Sequence, residues 1–159
     1  MSSNQTFIKM VFDRWNESLN TCDKLLNELM DEQLLKEVAP GKNRGIYLLG
    51  HLIAVHDDLF KLLDIREKDY PELYLIFHES PDRAVAEIPS ARELRACWSK
   101  QCEELKQKLT RLSPEEWFEK HTNISAEDFI KEPHRNKLNV ILNRTTHLNY
   151  HIGQLILLK

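Results

Sequence analysis

Apolar residues spaced three and four apart recur in four separate stretches of this chain, and that spacing restricts its fold more than any other feature. In the first stretch, Thr6 to about Met30, the series is Ile8, Val11, Phe12, Trp15, Leu19, Cys22, Leu25, Leu26 and Leu29, with Asp13, Glu17, Lys24 and Glu28 on the other faces. This is the helical period. Ala39-Pro40-Gly41 then breaks the chain. A second predicted helix runs from about Asn43 to Asp64 and is apolar over most of its first half, as a well-buried helix is. Ser90 and Glu93 form a capping-box signal for a third, which reaches about Leu112 and presents Leu94, Trp98, Leu105, Leu109 and Leu112 to the core. The last predicted helix runs from Asn136, a cap residue, to Lys159.

Shorter pieces lie between these helices. Ser113-Pro114-Glu115-Glu116 is a second start signal, for a short helix carrying Trp117 and Phe118. Ser125 to Phe129 reads as a single turn. Arg66 to Pro89 is the least regular part, punctuated by Pro71, Pro81 and Pro89, with a short helical turn or extended piece at YPELYLIF. Long connections of this kind often cover a functional site. The expected architecture is all-α: one domain over residues 1–159, a four-helix bundle with a long crossover between its second and third helices. Such bundles build metal sites in their interior from side chains on facing helices.

Seven histidines punctuate the chain, and two of them are four residues apart on the last helix. His147 and His151 differ by only about 40° around the axis and lie about 5–6 Å apart, so one face can offer both imidazoles to a single ion. Val140 and Leu158 share that face, which marks it as inward. On the second helix His51 shares its angle with Leu48, Val55 and Leu62 and also points to the core. His51, His147 and His151 are therefore the candidate metal ligands. Three imidazoles leave a coordination position open, the catalytic rather than the closed arrangement. Imidazole nitrogen suits Zn, Ni, Fe and Cu. The spacing alone is equally compatible with three hydrogen-bonded core histidines. Zinc-protease chemistry is excluded, because it needs a Glu directly after the first His, and Leu148 stands there.

Composition narrows the function classes. A formal net charge of -3 gives no reason to expect nucleic acid or an acidic membrane as partner. The longest uncharged apolar run, Gly45 to Val55, is too short to span a bilayer, and the N-terminus has no signal-peptide pattern. Cys22, Cys97 and Cys102 are an odd number without a CxxC motif, which fits a reducing cytoplasm.

The segment HLNYHIGQL resembles the H-x-x-x-H-x-G-Q pattern of the DinB/YfiT-like superfamily, with His147, His151, Gly153 and Gln154 on its positions. LLGHLIAVHD is similar to the family's second-helix segment, and His51 takes the place of the His that completes its metal triad. The SAREL start of the third helix and the run from Asp128 to Asn136 extend the resemblance over nearly the whole chain. It implies a bundle with the three histidines on its second and fourth helices, and homodimers. It also implies activity of the kind found in some relatives, metal-dependent transfer involving low-molecular-weight thiols. The chain ends six residues after Gly153, earlier than in many relatives, and a shorter last helix would open the site or change the dimer surface.

The leading expectation is a metal-dependent enzyme of this family. A divalent ion, Zn, Ni or Fe, on the His triad would activate water or a thiol against a small-molecule substrate, as a thiol transferase or hydrolase. The alternative is a non-catalytic metal- or ligand-binding bundle with a stress-response accessory role. Other residues carry blander expectations. His56 faces a boundary or solvent. Asp57 and Asp58 form a solvated face. Asn143 is solvated, and Tyr150 packs. His78, His121 and His134 lie in connections with no partner at ligand spacing. Lys131, Arg135, Lys137 and Arg144 form a solvated basic helix start, or, in the sharper reading, bind an anionic substrate or thiol carboxylates.

Overall fold

In the computed structural model, which describes residues 2–159, the chain is all-α. Four long helices build the core: α1 (Ser3–Glu28), α3 (Gly45–Leu62), α5 (Ala91–Leu109) and α7 (Lys137–Leu155). Three short ones join them: α2 (Asp31–Leu34), α4 (Pro71–Tyr74), which runs on into a π-helical turn at Leu75–Glu79, and α6 (Ala126–Lys131). α1 packs along α7, α3 lies along α5, and α3 also meets α7.

The helix starts follow the capping chemistry. Ser2 and Gln5 form a capping box, so α1 begins before the expected Thr6. Ser90 and Glu93 do the same for α5, and the Asn136 side chain accepts from the Asn139 amide at the start of α7. At the other end of α1 the Arg95 guanidinium donates to the carbonyls of Leu26 and Leu29, which have no partner further along the helix.

The crossover from α3 to α5 is pinned along the length of α3. At one end the Asp57 carboxylate, 1% exposed, accepts from the amides of Asp69 and Tyr70 at 3.1 and 2.7 Å. Arg66 pairs with Asp57 at 3.3 Å, reaches Glu104 on α5 at 3.1 Å, and lies over the Phe60 ring. At the other end Arg44 makes a bidentate pair with Asp82, and Tyr47 donates to the Ser80 carbonyl at 2.6 Å. In the middle the Phe77 ring rests on Gly50, where a Cβ would lie 2.5 Å from ring atoms. Glycine is required there by this close approach.

Two expectations fail on α3. His56 is fully buried rather than at a boundary: it stacks on Trp15 of α1 with ring centroids 5.2 Å apart and meets Trp98 of α5 edge-on. Asp57 is a buried carboxylate rather than part of a solvated face. The reasons differ. Tryptophans of α1 and α5 enclose His56, while the crossover covers the Asp57 side of α3, which a bare bundle would leave to water, so buried residues run all round this helix. In the Arg66–Pro89 connection the expected short helical piece at YPELYLIF forms, with Pro71 starting α4 at its first position. No helix among the described residues is long and apolar enough to cross a membrane.

Replacing Asp57 with Ala would leave Arg66 short of a partner and the Asp69 and Tyr70 amides without their acceptor in a part-buried place. The expected cost is about 2–4 kcal/mol of stability, read as a lower urea midpoint. A change below about 0.5 kcal/mol, the usual size for a surface residue, would contradict the anchoring role.

Candidate metal site

The three candidate histidines converge. α7 presents His147 and His151 on successive turns, and α3 brings His51 across to meet them. The His147 Nε2 atom lies 3.2 Å from Nε2 of His51 and 3.1 Å from Nε2 of His151. His151 is buried and the other two are half-buried. All three ligand atoms fall within 4.8 Å of one another, close enough to hold one metal ion. Donors about 2.0–2.1 Å from a tetrahedral ion are themselves separated by about 3.3 Å, so the two short spacings match that requirement.

The outer nitrogens decide what the inner ones offer. His51 Nδ1–H donates to the Phe77 carbonyl at 2.9 Å, and His151 Nδ1–H donates to the Gln154 carboxamide oxygen at 2.7 Å. Each bond leaves the Nε2 lone pair free and aims it at the common point, the usual way a protein fixes the tautomer of a metal-binding histidine. Gln154 also donates to the Tyr150 hydroxyl at 3.4 Å. His147 Nδ1 is buried and has no hydrogen-bond partner among the described residues. Two lone pairs aimed at one point call for a positive centre between them, either the Nε2–H of a neutral His147 or a metal ion. The donor set therefore fits a divalent ion.

Electrostatics disfavours extra protons here. Burial, with the neighbouring imidazoles and Arg144, pulls His147 from the usual 6.5 down to about 4. Burial likewise brings His51 to about 4, against the opposing pull of its bond to the Phe77 carbonyl. Burial lowers His151 as well, partly offset by Gln154. The cluster is neutral at neutral pH, the state a metal requires of its ligands.

Residues around the triad depart from expectation. His78 stays outside the ligand group, as expected, but its ring stacks on His51 at 5.6 Å and on Tyr74 at 4.3 Å, so the crossover forms one wall of the site. Tyr150 is 64% exposed instead of packed, with only its ring edge against His151, because α1 and α3 cover other flanks of α7. The basic residues near the start of α7 do not act as one solvated patch. Lys137 is buried and pairs with Glu119, and the Arg144 side chain is drawn in towards Asp58 of α3. Gln154 was findable from sequence, since it stands three residues after His151 on the same helix. The Phe77 carbonyl was not, because backbone atoms leave no mark in residue spacing. Cys22 and Cys102 are buried, which pushes their thiols well above the ordinary range and leaves them inert.

A family model described as the DinB superfamily matches residues 14–155. No curated protein matches the chain.

The low-lying histidines predict how the metal-free protein responds to acid. In the fold His51 and His147 stay neutral down to about 4 and His56 to about 3, whereas the unfolded chain protonates its histidines near 6.5. Their contribution to stability is complete above about pH 6.5 and is lost as pH falls towards 4. Urea midpoints of chelator-treated protein should drop steadily from about pH 7 to about pH 5, and the His51→Gln, His147→Gln double variant should drop less steeply. A midpoint that does not change over this range would contradict the buried-neutral assignment.

Proposed function

Since the chain belongs to the DinB superfamily, we propose that it is a metal-dependent enzyme whose divalent ion, Zn, Ni or Fe, is held by His51, His147 and His151. The convergence of three Nε2 atoms, two of them with tautomers set by Phe77 and Gln154, is the observation that carries this reading. A divalent ion bound there would lower the pKa of a coordinated water or thiol, making hydroxide or thiolate available at neutral pH. Two of the three ligands are half-buried rather than sealed, which supports an open position for a small-molecule substrate. The reaction is thiol transfer or hydrolysis, with a low-molecular-weight thiol as co-substrate in the first case.

The chain's own residues have separate tasks. Phe77 and Gln154 orient the imidazoles, Gly50 lets Phe77 approach, and burial keeps the ligands unprotonated. We place the activity in the cytoplasm, in keeping with three free cysteines, and in a homodimer acting on neither nucleic acid nor membrane. Leu142, Tyr150, Ile156 and Leu157, all exposed on or just beyond α7, support a second copy as neighbour. In this reading residues 1–159 form one domain.

Elemental analysis of the purified protein, beside the triple variant His51→Ala, His147→Ala, His151→Ala, tests the reading. About one divalent ion per chain is expected in the parent and none in the variant. No metal in the parent after exposure to Zn, Ni and Fe would overturn it. Gln154→Leu removes an orienting contact without removing a ligand, and it should weaken metal binding about ten- to a hundredfold in a chelator competition. Unchanged affinity would remove Gln154 from the design of the site.

A further inference from the structure

Arg144 stands one helical turn before His147 and two before His151, on the same face of α7. Three residues of helix advance the chain by about 4.5 Å, and seven return to within about 20° of the same direction. Its side chain is only 23% exposed. Lys68, which shares the Asp58 carboxylate with it, lies over the Tyr74 ring, and Tyr74 stacks on His78, whose ring stacks on His51. The guanidinium therefore lies on the triad's side of α7 rather than out in solvent.

It is also poorly matched. Asp58 is its one ion-pair partner among the described residues, and the nearest oxygen is 3.7 Å away, longer than a hydrogen bond. That same carboxylate is held at 2.9 Å by Lys68, whose ammonium also lies over the Tyr74 ring. Arg144 and Lys68 thus share one carboxylate, and the group of three carries one net positive charge. Burial lowers Arg144 below its ordinary pKa, and the nearby Asp58 only partly offsets this. Elsewhere in this protein partly buried arginines are fully engaged. Arg44 makes a bidentate pair with Asp82, and Arg66 bonds Asp57 and Glu104. A guanidinium is a planar fork of donors suited to a carboxylate or phosphate, and a partly buried one without such a partner is under-compensated.

Asp58 lies two turns beyond His51 on α3, as Arg144 lies one to two turns before the histidines on α7. The two helices therefore run past each other in opposite directions, with the triad at one level and the Arg144–Asp58 pair at the next. We propose that Arg144 binds an anionic group of the substrate, so that the site takes small molecules carrying a metal-binding atom and a carboxylate or similar anion a short aliphatic chain apart. This rests on the metal reading given above and adds a substrate class to it. With neutral histidines, a divalent ion and the excess charge of the Arg144 group would leave the site strongly positive, which favours a ligand bringing two negative charges, a thiolate and a carboxylate, over one bringing the thiolate alone.

Cobalt-loaded protein tests this through ligand binding instead of turnover. The probes are 3-mercaptopropionate and its near-isosteric neutral amide, 3-mercaptopropionamide, titrated at fixed ionic strength while the cobalt–thiolate absorption is followed. The parent should bind the acid at least about tenfold more tightly than the amide, the size of one charge-assisted hydrogen bond. Arg144→Gln should bind as much cobalt as the parent but lose most of that preference, and Arg144→Lys should keep part of it. Equal binding of acid and amide by cobalt-loaded parent would overturn the proposal and leave the metal site standing; this comparison needs no variant to fold. An unchanged preference in Arg144→Gln would overturn the assignment to Arg144. Failure of the parent to take up cobalt would overturn the metal reading and the proposal with it.

Discussion

Placing polar side chains inside a helical bundle is costly unless each finds a partner, and this constraint organises the molecule. Two of the three imidazoles are tolerated because their outer nitrogens are answered from two directions, while His147 Nδ1 stays without a partner among the described residues. Gln154 serves His151 from within α7, and the Phe77 carbonyl serves His51 from the crossover. That second bond requires the crossover to lie tightly on α3. The fit depends on Gly50, on the Arg44–Asp82 pair near one end and on Asp57 with Arg66 near the other. Anchors at some distance from the histidines thus fix the direction of a lone pair at the centre.

Much of this could be read in the sequence, for identifiable reasons. The long helices were visible because their apolar residues keep helical spacing, and their starts because Ser90 and Asn136 carry side-chain caps. The triad was visible because two ligands lie four apart on one helix and the third shares its angle with core residues of another. What stayed hidden depends on contacts between distant segments. His56 and Asp57 looked peripheral by helical angle, yet Trp15, Trp98 and the crossover enclose them. The stacking of His78 on His51 arises from a π-helical turn inside a proline-punctuated connection, which no periodicity announces.

The electrostatics of the site have one direction. Burial keeps the histidines neutral and the two buried cysteines protonated, so neither set supplies negative charge. Asp58 is the carboxylate that pairs with Arg144 beside the triad, and Lys68 already holds it. The result is a neutral ligand set in a mildly positive surrounding, the opposite of a carboxylate-rich metal site. Such a surrounding favours anions as the remaining ligands of a bound ion, and it lowers the pKa of whatever acid the ion holds.

X-ray absorption of the zinc-loaded protein reads directly whether one ion sits among the three imidazoles. Three imidazole nitrogens at about 2.0–2.1 Å are expected, with the outer-shell scattering of histidine rings and a remaining light-atom ligand. Sulfur in the first shell, at about 2.3 Å in protein free of added thiol, or a shell of oxygens without imidazole scattering would contradict it.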